Sequence, residues 1–383
     1  MKKTYTPTLK GVISLLLLCN FSFIGLFSAQ DTLRTPSGAG AKPFITVSTH
    51  YGFIMAHNPN MEYLIKSHIG GGEVSLALQT QGEKNWERVY NNPEKGLGFY
   101  LAELGNPLQL GQAIGLFPFV NFPLNPGRKF KLFVRTGNGL GLITKPYEKK
   151  LNHKNNINGS YFNEFIYLRL YSVFHPFKNI QMQTGVGLTH LSNGNWAVPN
   201  LGINIMTMNL GLRFYKFDSQ KGIPKTARDT SSEKISKKLF VTTNFLSGIN
   251  ETNYRNGKKY GTFALTLSVW KTVSPKSRFC AGNDLFYYMS NLAKAEEKGT
   301  FDTSNKLNNL QAGFRLGYEI VVGKIALPIE MGTYYYTKTT ADGSFYHRVG
   351  LRVYMTKRLI LNYTLKTHWF TAENIEFGAG YRF

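Results

Sequence analysis

The feature that most constrains this chain is a period of two. From about Lys42 to the final Phe383, apolar and polar residues alternate in segments of roughly ten to fifteen residues, broken by clusters of Gly, Asn, Pro and Lys. Phe130–Leu142, Phe162–Phe174, Ile180–Ser192, Leu201–Phe214, Leu239–Leu246, Phe263–Val273, Phe279–Met289, Leu310–Val322, Ile325–Tyr336, Val349–Tyr354, Leu359–Leu365 and Ile375–Phe383 all read as strands. Weaker candidates near Phe44, Val74, Leu97 and Ala113 bring the count to about sixteen. No segment of comparable strength reads as a helix, and past the leader no window approaches the roughly 18 apolar residues that a membrane helix needs.

The connections alternate in length. His175–Asn179, Ser274–Lys276, Gly323–Lys324 and Thr356–Lys357 are short turns, and between them lie long polar loops such as Lys145–Gly159 and Asn291–Lys306. Short turns on one side and long loops on the other are the periplasmic and extracellular ends of an outer-membrane barrel. A soluble sandwich would also alternate, but without so many Tyr and Phe at strand ends or so many strands over ten residues long. The expected fold is therefore all-β, a transmembrane antiparallel β-barrel of about 14–16 strands closed as one barrel. The alternative is an eight-stranded barrel plus a second β unit, divided at the charged stretch 218–238. One barrel is the simpler of the two, because each membrane-embedded unit must satisfy its own edges.

At the N-terminus, Lys2-Lys3 and Lys10 precede an apolar run from Gly11 to Phe27 and the small pair Ser28-Ala29, the layout of a signal peptide over 1–29 cut before Gln30. That sends the chain to the outer membrane of a bacterial cell. Residues 30–217 then form a first set of strands, and 239–383 form additional barrel strands ending in Phe383, which resembles a barrel-assembly signal. Cys280 is the one cysteine outside the leader, so there is neither a disulfide framework nor a thiolate metal site. The formal charge of +23 admits two readings, solvated Lys-rich loops or attraction to a polyanion; for an exported chain an anionic lipid surface fits better than nucleic acid.

Facing then singles out one cluster. On Ile180–Ser192 the apolar set Ile180, Met182, Val186 and Leu188 faces lipid, and its count of two continues to His190 and Ser192. On the next strand the set Met206, Met208, Leu210, Leu212 and Phe214 counts back to Asn204 and Asn200. On the preceding strand, Phe162, Ile166, Leu168 and Leu170 share their face with Glu164, which a symmetric turn over His175–Asn179 sets opposite His190. Polar groups on a lipid-facing wall are costly unless they lie near the interface, so they invite a functional explanation. Ser192 is a weak nucleophile until a base takes its proton; His190 can be that base, and a third group must fix the imidazole tautomer. Backbone N–H groups after Ser192, Gly194 among them, with the side chain of Asn193 or Asn200, are candidate oxyanion donors.

His190-Leu191-Ser192-Asn193 followed by Pro199-Asn200-Leu201-Gly202 resembles the outer-membrane lipid A 3-O-deacylases of the PagL type, also described as acyloxyacyl hydrolase-like. Weaker support comes from Gly96–Gly115 and Ser160–Asn163, and the resemblance spans about Trp86 to Phe214, leaving the last half outside it. It implies an eight-stranded barrel with its site toward the outer leaflet, no metal and no cofactor, His190 as base, Ser192 as nucleophile, and Asn193 and Asn200 as site-shaping or oxyanion groups. Where the family has an acid four residues after the second Asn, this chain has Asn204. Either Asn204 orients the imidazole or Glu164 supplies the carboxylate from the neighbouring strand; a degenerate site is the third possibility.

The expected activity is ester hydrolysis, removing an acyl chain from lipid A, the lipopolysaccharide anchor, or from another acylated lipid of the outer leaflet. The rival is a non-enzymatic porin, favoured by a strand count large enough for an aqueous lumen. A surface adhesin has only the length of the loops in its favour.

Overall fold

The computed structural model describes residues 43–126, 130–177, 180–215, 239–252, 257–298, 304–339, 343–369 and 371–383. The expected signal peptide and the charged stretch 218–238 lie outside the described residues. Among the described residues there are sixteen strands, and they close as two barrels of eight rather than one of sixteen. The first comprises β1 (Pro43–Ile54), β2 (Ile69–Gln79), β3 (Glu94–Glu103), β4 (Gln112–Pro123), β5 (Lys131–Ile143), β6 (Phe162–Phe174), β7 (Ile180–Ser192) and β8 (Ile203–Tyr215). The second comprises β9 (Leu239–Glu251), β10 (Lys259–Ser274), β11 (Ser277–Tyr288), β12 (Leu310–Val322), β13 (Ile325–Thr337), β14 (Phe345–Tyr354), β15 (Leu359–His368) and β16 (Thr371–Arg382).

Closure is what separates the units. β1 pairs with β8 from Phe44↔Tyr215 to Ile54↔Ile205, and β16 pairs with β9 from Ile375↔Ile249 to Arg382↔Thr242. Each sheet thereby satisfies its own edges, the condition that a strand assembly in hydrocarbon must meet. The four weak candidates are β1 to β4. β2 was faint because Gly70, Gly71 and Gly72 leave only Val74, Leu76 and Leu78 to mark its apolar face. The helices are short and lie in loops, Asn85–Val89 and Ser290–Lys298 among them.

Facing is inverted relative to a water-soluble barrel. β1 exposes Ile45, Val47, Tyr51 and Phe53 while burying Thr46, Ser48 and His50. The first lumen holds Arg135 paired with Glu73, and Arg213 bound to both oxygens of Glu94 at 2.7 and 2.9 Å. In the second, Arg348 binds Glu376 at 2.6 and 3.1 Å and Asp284 at 3.1 Å, and Arg352 reaches Glu330 at 2.7 Å. Arg315 joins the same network through Asp284 and Glu330. An eight-stranded barrel has room for side chains and little else, and these lumens are filled by them. The strand number that had favoured an aqueous channel is thus shared between two narrow barrels.

Two expectations follow. Arg348→Ala removes the cationic partner of Glu376 and one of the two of Asp284 inside the second lumen and is expected to cost about 3–5 kcal/mol in urea unfolding from detergent micelles, whereas Leu285→Ala on the outer face costs about 1 kcal/mol or less. Purified protein in planar bilayers is expected to give no stepwise open-channel conductance.

Candidate active site

β6, β7 and β8 share a lipid-facing wall, and at its end beside the long loops lie Glu164, His190, Ser192 and Asn204, all on even-numbered, outward positions. His190 and Ser192 point the same way because they stand two residues apart on one strand. Asn204 is directly across from His190 in the β7–β8 ladder. Its Oδ1 accepts a hydrogen bond from His190 Nδ1 at 2.6 Å. That contact places the proton on Nδ1 and the lone pair on Nε2, the tautomer a general base needs.

Glu164 is on the expected face but not at the expected register. It lies across from Ser192, and Ile166 lies across from His190. The register differs from the one expected: Phe174 pairs with Met182, so Ile180 and Gln181 extend beyond the end of β6 while still pairing with β8. A slip of two preserves the face and changes the partner. The Glu164 carboxylate instead accepts from Asn138 Nδ2 on β5. Glu164 therefore lies across from Ser192, and Asn204 is the residue across from the imidazole and in contact with its Nδ1.

Gly202 explains half of the Asn-x-Gly signature. Its φ is +79°, and a Cβ there would stand 3.0 Å from His190 Cε1. The position demands glycine for its left-handed backbone and for the imidazole ring packed over it.

Residues 193–201 belong to the second compact unit of the chain. Within that segment the Asn193 N–H donates to Asn200 Oδ1 at 3.0 Å, so this N–H, a candidate oxyanion donor, is already engaged. Both ends of the Asn193 side chain are engaged too, Nδ2 donating to Ala197 O at 2.8 Å and Oδ1 accepting from Asn195 N–H at 3.0 Å. Asn193 thus shapes the loop. Gly194 has φ +61°, a left-handed turn position. Glu251 Oε2 accepts from the Val198 N–H at 2.6 Å and Lys259 Nζ donates to Trp196 O at 2.6 Å. Sequence reasoning missed Glu251 and Lys259, which carry no local signal linking them to this loop.

The class these features define is an outer-membrane β-barrel carrying an oriented imidazole and a serine on its lipid wall. Residues 70–213 match the family described as lipid A 3-O-deacylase (PagL), and residues 237–383 match the acyloxyacyl hydrolase C-terminal domain. The chain belongs to this PagL-type family of outer-membrane deacylases, and its activity class is hydrolase. The second half, which the sequence resemblance had left out, is thereby included. Among solved structures, the outer membrane enzyme PagL is similar at 17% identity, covering 43% of this chain and 97% of its own, with a TM-score of 0.29. Neisserial surface protein A is similar at 9% identity, covering 46% of this chain and 99% of its own, with a TM-score of 0.32. No curated protein matches the chain.

Gly202→Ala introduces backbone strain of about 1–3 kcal/mol and displaces His190. It is expected to lower deacylation about 100-fold while leaving the β circular dichroism spectrum in place.

Proposed function

We propose that this protein is an outer-membrane esterase that removes an ester-linked acyl chain from lipid A or a related acylated glycolipid of the outer leaflet, with Ser192 as nucleophile and His190 as base. The observation that carries this reading is the 2.6 Å contact between His190 Nδ1 and Asn204 Oδ1, on the same outward face as Ser192. An unused histidine on a lipid wall would have no reason to be held in the tautomer that leaves Nε2 basic.

The chemistry is acyl transfer. His190 Nε2 takes the proton from Ser192 Oγ as that oxygen attacks the ester carbonyl. The tetrahedral intermediate collapses, the sugar hydroxyl leaves with the proton from His190, and an acyl-serine remains. Water, activated by the same imidazole, then attacks the acyl-serine carbonyl, releasing the fatty acid and returning the proton to Ser192 Oγ. Gly194 and Asn200 are assigned to stabilise the oxyanion, and Asn193 to shape the loop that carries them. Asn204 orients His190 without adding charge. The +23 formal charge favours a phosphorylated, anionic substrate surface, and none of these steps requires a cofactor.

Mass spectrometry of lipid A from cells carrying the wild-type or the Ser192→Ala allele tests this directly: an acyl chain missing in the first and retained in the second is expected, and no difference overturns the reading. Asn204→Leu, which removes the tautomer-fixing acceptor, is expected to lower kcat about 100-fold or more with little change in KM.

A further inference from the structure

Asn204 has a second partner. Its Nδ2 donates to His57 Nδ1 at 3.2 Å, while its Oδ1 faces His190. We infer that His57 is a positioning residue that acts on His190 through the Asn204 amide, fixing which end of that amide faces the base. The inference rests on the esterase reading above and extends it to a residue 147 positions away in sequence from Asn204.

His57 is placed there by construction. The β1–β8 ladder runs to Ile54↔Ile205 and is continued by the Met55 N–H, which donates to Asn204 O at 2.8 Å. Three residues on, the Asn58 side chain accepts from the Asn60 N–H at 2.9 Å and caps the 3-10 helix Pro59–Leu64. His57 is therefore held between a ladder contact to Asn204 itself and a capped helix start.

The logic follows from the two ends of an amide. A carboxylate accepts at both oxygens and cannot be turned the wrong way round, but an Asn side chain can flip. With Oδ1 toward His190 the base keeps its Nε2 lone pair. With Nδ2 toward His190, Nδ1 of the imidazole must accept, the proton moves to Nε2, and His190 can no longer take the proton of Ser192. His57 selects the first arrangement when its Nδ1 offers a lone pair to Asn204 Nδ2. The Met55 carbonyl lies 3.3 Å from the same nitrogen and would be met instead if His57 carried its proton on Nδ1. His57 with its proton on Nε2 is thus the partner that makes an amide serve where an acid would need no help.

A variant set tests this. His57→Ala is expected to lower kcat about tenfold with KM unchanged, and His57→Gln, which can offer an acceptor oxygen to Asn204 Nδ2, to recover most of the loss. In an Asn204→Glu background, where both ends accept, the cost of His57→Ala is expected to shrink below about twofold. Equal losses in the two backgrounds, or no loss in the native one, overturn the inference. Nitrogen-15 shifts of the His190 ring in detergent-solubilised protein give a readout independent of turnover: His57→Ala should raise the Nε2–H tautomer, and an unchanged tautomer balance also overturns the inference. If Ser192→Ala protein still releases the acyl chain, the esterase reading fails separately, while the ring shifts continue to decide the role of His57.

Discussion

In hydrocarbon no backbone N–H or C=O can turn to water, so every strand of this chain must have two neighbours. The pairings Phe44↔Tyr215 and Ile249↔Ile375 meet that requirement, and most of the rest follows from it. Closure at eight strands leaves lumens wide enough only for side chains. It also makes one face of each strand largely apolar, so a charged or strongly polar group on that face costs least toward the strand ends. The candidate site obeys this constraint: His190, Ser192 and Asn204 sit at the loop-side ends of β7 and β8, with Val186, Met208 and Leu210 exposed below them.

What was legible in the sequence is what depends on local alternation. β6, β7 and β12 were read with the bounds they have, and the outward facing of His190 and Ser192 needed nothing beyond a count of two. What was not legible depends on which strand meets which. Sixteen strands in series are compatible with one barrel or two, and the choice is made by pairings between residues 171 apart, such as Phe44 and Tyr215, that leave no trace in either segment. The register of β6 on β7 failed for a related reason. The pairing is offset by two residues, an even slip that keeps every side chain on its face, so Glu164 has the expected face and a different partner. His57 and Lys259 act across separations for which a single sequence has no signal.

The interiors account for where the charge goes. Glu73, Glu94, Asp284, Glu319, Glu330, Glu373 and Glu376 are buried, and together they are a third of the 22 acidic residues. Their partners are Arg135, Arg213, Arg278, Arg315, Arg348, Arg352 and Lys366. Removing one partner of such a pair leaves an uncompensated charge, so the networks fix the packing of the lumens more than they add net stability. Inside the barrels the signs nearly cancel. The excess of Lys and Arg therefore does not arise from the described lumens, whose buried acids and bases are matched.

The same economy bears on Asn204. A carboxylate on a lipid-facing wall carries a desolvation cost of a few kcal/mol unless it is paired, and the contacts at position 204 are two imidazoles, His190 and His57, with no fixed cation. Glu164, the acid that does stand on this wall, is met by Asn138 and lies across from the hydroxyl rather than the base. An amide at 204 avoids the buried charge and still fixes the imidazole, but it gives up charge stabilisation of the imidazolium and introduces an orientation that something else must set. The fold places a histidine against its other end. Replacing an acid by an amide in a triad of this kind is therefore not a loss of one group only; it moves part of the work of positioning to the loop after β1.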